Sequence, residues 1–234
     1  MKVISAEEMA ALDANCQYFG LLPLQLMENA GAALAREIRA RAGGKRIAVV
    51  AGRGNNGGDA FVAARHLAGF DVTVYLLGRA RDIATEEARR NWQILSRLGY
   101  DLKEIRDSSE LSLADCDLIV DAIFGTGVRG VVIGLEAGAI DVINRSGRPV
   151  LSVDVPSGSG TNKAVRADFT VTFHRPKPGL PQNVVVADIG IPAAAELFVG
   201  EGDLRLLVKR ASESHKGDSG RILVIGGGPY TGAP

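Results

Sequence analysis

The sequence predicts an α/β fold built on a mostly parallel sheet, and three observations lead there. Continuous apolar runs such as RIAVVA (46–51) and DLIVDAIFG (117–125) suit strands buried on both faces. Helical stretches alternate with these runs for most of the chain, the order that right-handed crossovers between parallel strands produce. Many of the 29 glycines fall at strand ends, where sharp turns need them. The expected layout is a Rossmann-like three-layer αβα sandwich.

The elements follow in order. Ser5-x-x-Glu8 is a capping box, so a helix is expected over residues 6–17. Pro23 opens a longer helix, PLQLMENAGAALAREIRARAG, stopped by Gly43-Gly44. RIAVVA is the first strand, followed by the loop GRGNNGGD and a helix in DAFVAARHLAG. DVTVYLLG (71–78) is the second strand. TEEARRNWQILSRLG (85–99) has acids in its first turn and arginines further on, matching the helix dipole. DLIVDAIFG, PVLSVDVPSG (149–158), ADFTVTF (167–173) and NVVVADIG (183–190) complete the strands, with a helix in LEAGAIDVINRSG. DLRLLVKRASESHKGDSG then reads as a charged linker. RILVIGGG is one more strand and glycine turn, half a supersecondary unit that suggests the start of a second domain.

Composition narrows the function classes. Lys+Arg 27 balances Asp+Glu 27, so no basic field draws nucleic acid. No run approaches the roughly 18 apolar residues of a membrane span, and the N-terminus lacks the apolar core of a signal peptide. Cys16 and Cys116 match no metal or C-x-x-C spacing and read as free thiols in a reducing cytoplasm.

In an open parallel sheet, ligands bind beyond the carboxyl ends of the strands. Three polar loops lie at such ends: Gly52–Asp59, Asp121–Val131 and Asp154–Gly158. The first holds G-x-G-x-x-G at Gly52, Gly54 and Gly57, but Asp59 would repel a phosphate at the helix start. The next strand ends in Gly78-Arg79-Ala80-Arg81, where an NAD site wants an acid. A hydride-transfer site for NADP, or a turn that only packs helix on strand, are the alternatives. In the second loop Gly125, Gly127 and Gly130 let backbone approach a ligand, and Arg129 adds a cation. The bland reading leaves Arg129 in solvent. The third loop, DVPSG, offers Asp154 and Ser157 without G-x-S-x-G. His66, His174 and His215 have no triad context, so a serine hydrolase is rejected. Asn56, Asp121 and Ser157 supply an amide, a carboxylate and a hydroxyl, a donor set that suits a monovalent cation better than a divalent one.

GRGNNGGDAFVAARHL, DAIFGTG, SVDVPSG, ADFTVTFHRPKPGL and VVVADIGIP, in this order and with the early MENAG (27–31), resemble the NAD(P)H-hydrate epimerase domain, also called the YjeF N-terminal domain. The resemblance assigns residues 1–204 to that domain. SHKGDSGRILVIGGGPYTGAP resembles the opening of the ADP-dependent NAD(P)H-hydrate dehydratase domain, so 205–234 would be a linker and that domain's first strand. The implied reaction interconverts the R and S forms of NADH or NADPH hydrated at ring carbon 6 (NADHX and NADPHX).

Carried over, the resemblance gives substrate contacts at Asn55, Asn56, Gly57, Gly58 and Asp59. A second set covers Gly125, Thr126, Gly127, Val128, Arg129, Gly130 and Val131. Asn56, Asp121 and Ser157 would ligate one potassium ion. Asp154 would lie at the nicotinamide ring as general acid and base, with Lys177 as an electrostatic helper; the bland reading of Lys177 is a surface lysine between two prolines. The dehydratase domain would be the partner in cis, and ADP would belong to it alone. The two apolar N-terminal helices offer a surface for a homodimer. Three departures stand out: Ala60 where the family has Gly, and short segments after SVDVPSG and after KPGL, which would trim the cover over the substrate.

Overall fold

The computed structural model describes residues 2–207, with positions 213 and 223 in isolation. All but position 223 of the expected RILVIGGG strand and most of the expected linker lie outside the described residues, while the start of that linker, Asp203–Leu206, forms a single 3-10 turn. The helices are α1 (Ala6–Tyr18), α2 (Pro23–Arg41), α3 (Asn55–His66), α4 (Glu86–Arg97), α5 (Gly134–Arg145) and the short α6 (Ala193–Leu197). The strands are β1 (Arg46–Ala51), β2 (Asp71–Leu77), β3 (Asp101–Ile105), β4 (Leu118–Ala122), β5 (Val150–Val153), β6 (Phe169–Phe173) and β7 (Val184–Ala187). They form one sheet in the order β3-β2-β1-β4-β5-β6-β7. Every pairing is parallel, so the expected mostly parallel sheet is wholly parallel among the described residues.

Side chains alternate between the two faces of each strand, and two cores result. Val49, Ala51, Val74, Leu76 and Val120 pack with Leu34, Ile38, Phe61 and Leu95 of α2, α3 and α4. Ala48, Val50, Leu77 and Ile119 pack with Ile140 and Ile143 of α5 on the other face. The expected three-layer αβα arrangement therefore holds. Strand order reverses between β1 and β4, and a crevice opens at such a point beyond the strand ends.

The Ser5 capping box closes reciprocally on the Glu8 amide and carboxylate, and Pro23 occupies the first turn of α2. Two expectations shift. DLKEI forms β3, which the sequence pattern hid: it is a mostly exposed edge strand rich in charge rather than an apolar run. The strands expected over 117–125, 149–158 and 183–190 end early, and their tails are the loops of the site.

Helix α3 begins at Asn55, four residues before the expected DAFVAARHLAG stretch, with Gly57 and Gly58 inside it. Glycine is poor helix material, so a close approach explains it. A Cβ on Gly57 would lie 2.1 Å from the Gly52 carbonyl oxygen. One on Gly31 would lie 2.3 Å from Val62 Cβ and 2.7 Å from the Asp59 carbonyl. Helix α2 thus rides directly on α3 and fixes the height of the Asn55–Asp59 turn.

Candidate functional site

The loops after β1, β4 and β5 converge at the carboxyl edge of the sheet on a cleft of about 920 Å³. Helix α1 forms another wall with one face, carrying Met9, Ala10, Asp13, Ala14 and Gln17 at helical spacing. Asn29 of the MENAG stretch holds a third side, donating from Nδ2 to the carbonyl of Ile189, which lines the cleft (2.8 Å).

Asp154 leaves β5 with φ +65°, a left-handed conformation rare outside glycine and costing on the order of 1 kcal/mol. Its amide donates to Val171 (2.7 Å) and its Oδ1 accepts from Thr172 Oγ1 (3.1 Å), so β6 over-determines the bend. Lys177 Nζ reaches the same Oδ1 at 3.1 Å. That ammonium also donates to the Phe173 carbonyl (2.7 Å) and the Arg175 carbonyl (3.1 Å), and Lys177 is 4 % exposed. The surface reading of Lys177 is therefore corrected. The turn after β6 folds it inward, and it spends all three donors beside Asp154.

Asn56 is buried, and its Nδ2 has no partner. A Cβ on Gly125 would lie 3.4 Å from Asp154 Oδ2 and 3.6 Å from Asn56 Oδ1, so the bare backbone at Gly125 lets both polar groups face one spot. Beneath them, Asp121 and Ser157 are fully buried. Asp121 accepts from Ser157 Oγ (2.5 Å), Ser157 N (2.9 Å), Ser152 Oγ (2.6 Å) and, more weakly, Ile123 N (3.3 Å). Ser157 Oγ in turn accepts from Phe124 N (2.9 Å), which ties the loop after β4 to the loop after β5. Burial pushes the Asp121 carboxyl up from its ordinary value, opposed by these hydrogen bonds.

Two more carboxyls share the cleft. Burial pushes Asp59 well above the usual range, with the charges of Asp154 and Asp13 adding to the rise and Lys177 opposing it. Burial also raises Asp13, to about 6, opposed by Lys177 and reinforced by Asp154.

Asn55, Asn56, Asp59, Gly125, Thr126, Gly127, Val128, Asp154 and Lys177 of the expected site all line the cleft. Gly57 and Gly58 do not: Gly57 faces the Gly52 carbonyl, and Gly58 faces Met27 and Ala88. Arg129, Gly130 and Val131 stand outside the lining, all exposed, and Arg129 pairs with Glu7 of α1 rather than standing alone in solvent. Arg79 and Arg81 are not in the lining either; Asp82 is. Asn162, in the short segment after β5, clamps Val132 with two hydrogen bonds (2.7 and 3.2 Å), so that segment still braces the loop over the cleft.

Asp13 and Arg205 are lining residues the motifs did not reveal, and Arg53, inside the GRGNNGGD loop, lines the cleft without having been given a role. The signal for Asp13 was a single carboxylate in the otherwise small or apolar stripe Met9–Ala10–Asp13–Ala14. Arg53 is held by Glu136 at 2.8 Å across the mouth. Cys16 and Cys116 are free and buried, which raises both thiols, Cys16 to about 11. Among the described residues no helix is long and apolar enough to cross a membrane, and no cluster of three or more His, Cys, Asp and Glu side chains suits a metal.

The sequence profile of the family described as "YjeF-related protein N-terminus" matches residues 23–179. A bifunctional NAD(P)H-hydrate repair enzyme of Methanothermobacter thermautotrophicus is 47% identical over 99% of this chain and 49% of its own length. A second, from Archaeoglobus fulgidus, is 45% identical over 100% of this chain and 51% of its own length. The chain thus spans about half the length of the curated relatives it matches. Among solved structures, the yeast protein YNL200c superposes with a TM-score of 0.69 at 27% identity, covering 80% of this chain and 87% of the yeast chain.

Proposed function

The chain belongs to the YjeF-related N-terminal family, and on that premise we propose that it epimerises NADHX and NADPHX, interconverting their R and S forms. The observation that carries the reading is the pair of half-buried Asp154 and buried Lys177 at the cleft, beside Asn56 and the bare backbone of Gly125. Ring carbon 6 of the hydrated nucleotide bears a hydroxyl next to the ring nitrogen. Once that hydroxyl is protonated, the carbon–oxygen bond breaks, the nitrogen lone pair forms an iminium bond, and water departs. Water adding to the opposite face and losing a proton gives the other epimer. Asp154 is suited to handle a proton because Lys177 and Thr172 fix its carboxylate while the left-handed bend turns it into the cleft. The N–H groups of the loop from Gly125 to Val128, together with Asn55, Asn56 and Asp59, suit the rest of the nucleotide.

Asn56, Asp121 and Ser157 fit one potassium ion. They offer a single buried carboxylate, a buried hydroxyl and a buried amide, a low-charge oxygen set. Bound there, potassium would offset the Asp121 charge and brace the three loops. We further assign the chain to the cytoplasm, with a dehydratase domain as its partner in the same polypeptide. ADP would bind only that domain.

The test follows equilibration of an epimer-enriched substrate. The purified protein should accelerate it, Asp154→Asn should slow it about 100-fold, and product formed in ¹⁸O-water should carry the label. Equal rates with and without protein would overturn the epimerase reading. Acceleration without label would replace hydroxyl departure by ring opening.

A further inference from the structure

Epimerisation by departure and return of a hydroxyl moves the oxygen from one face of the ring to the other. A proton must therefore be handled at each face. Asp154 reaches the cleft from the end of β5; another group must do so from a different wall. Helix α1 supplies that wall, and Asp13 is the one charged side chain on its cleft-facing stripe.

The cluster's charges point the same way. Asp13, Asp59 and Asp154 line the cleft with one ammonium, Lys177, which is committed to Asp154 at 3.1 Å; of the other lining cations, Arg53 is held by Glu136, and Arg205 stands at the turn after α6. Like charges gathered in one cleft oppose one another's ionisation. No hydrogen bond holds the Asp13 carboxyl among the described residues, so it is free to meet a ligand.

We propose that Asp13 is the second proton-handling carboxyl of the site, a catalytic residue acting on the face of the ring opposite Asp154; this rests on the epimerase reading above. In one direction the Asp13 carboxylic acid gives its proton to the C6 hydroxyl. The C6–O bond breaks, N1=C6 forms, and water leaves. A water on the Asp154 side attacks C6 and gives its proton to the Asp154 carboxylate. The pair ends with one proton exchanged between its members, and turnover in the reverse direction or exchange with solvent resets it. Asp59 is a poorer candidate, because it stands on α3 beside Asn55 and Asn56, the wall given above to the rest of the nucleotide, and not on the wall that α1 supplies. Asp13 sits nearer neutrality, where an acid can both give and regain a proton. The titratable groups facing it are Lys177 from the turn after β6, Asp154 after β5, Asp59 on α3 and, on its own helix, Cys16.

The experiment compares wild type, Asp13→Asn and Asp13→Glu in the epimerisation assay across pH. Wild type should show a bell-shaped kcat profile. Asp13→Asn should lower kcat about 100-fold with KM within about threefold and lose one limb of the bell, and Asp13→Glu should restore part of the rate. A kcat within about threefold of wild type, or a loss confined to KM, overturns the proposal. No acceleration by wild type instead overturns the epimerase reading, and the proposal with it. Should Asp13→Asn fail to fold, carboxyl NMR titration of wild type decides: a midpoint near neutrality supports the proposal, and one near 4 overturns it.

Discussion

At Lys177 the ammonium meets two backbone carbonyls and the Asp154 carboxylate in a place water barely reaches. A buried charge satisfied on all sides is tolerable, whereas one stripped of its partners costs several kcal/mol. Asp13 is the opposite case, a half-buried carboxyl with no hydrogen-bonding partner among the described residues. Its folded pKa of about 6 lies above the unfolded value, so the fold penalises the ionised form. Below about pH 4 both states carry the proton and nothing is lost. Between about 4 and 6 the unfolded chain ionises first and stability falls; above 6 the loss is constant. A two-unit rise corresponds to at most about 3 kcal/mol. Asp13→Asn should therefore match wild-type stability at pH 4 and exceed it by up to that amount at pH 7, read from urea midpoints at the two pH values.

Among the secondary-structure elements, the start of α3 decides how the site is built. Gly57 and Gly58 stand side by side in its first turns but answer to different neighbours. A methyl at Gly57 would meet the rigid Gly52 carbonyl at 2.1 Å, while one at Gly58 would meet the flexible end of Met27 at 2.6 Å. Alanine normally stabilises a helix interior by about 0.5–1 kcal/mol over glycine. Gly57→Ala should nevertheless destabilise by about 1–3 kcal/mol through overpacking. Gly58→Ala should stay within about 1 kcal/mol of wild type. Chemical denaturation of the two variants checks the contrast, and similar midpoints would remove the distinction drawn between them.

In the molecule as a whole, one parallel sheet carries all three loops on one edge, and Asp121 and Ser157 join two of them below the cleft. A cation held by these residues binds the folded chain and not the unfolded one, so it stabilises by mass action. At constant ionic strength, Tm should rise when KCl replaces LiCl, and Asp121→Asn should abolish the difference. Equal Tm values in the two salts for wild type would remove the potassium assignment. The short segment after β5 belongs to this scale too, since Asn162 reaches across to brace the loop after β4.

Apolar runs alternating with helices specified the parallel sheet, because a strand buried on both faces has no polar alternation to keep. The loop motifs likewise specified Asn56, Asp121, Asp154 and Ser157 as polar groups at strand ends, since polar residues and glycine beside a buried strand have few other places to be. The sequence did not reveal β3, whose charges suit an exposed edge, nor the true start of α3, whose glycines answer to Met27, 31 positions away in α2, as well as to the Gly52 turn. Only the tertiary structure turned Lys177 inward, because its burial depends on the turn after β6 closing over Asp154. Only the tertiary structure brought Asp13 to the cleft, because a helix more than 100 residues upstream of Asp154 had to pack across the sheet edge to present it. Local pattern encodes which face of an element is buried; which distant carboxyl ends opposite it is set by packing alone.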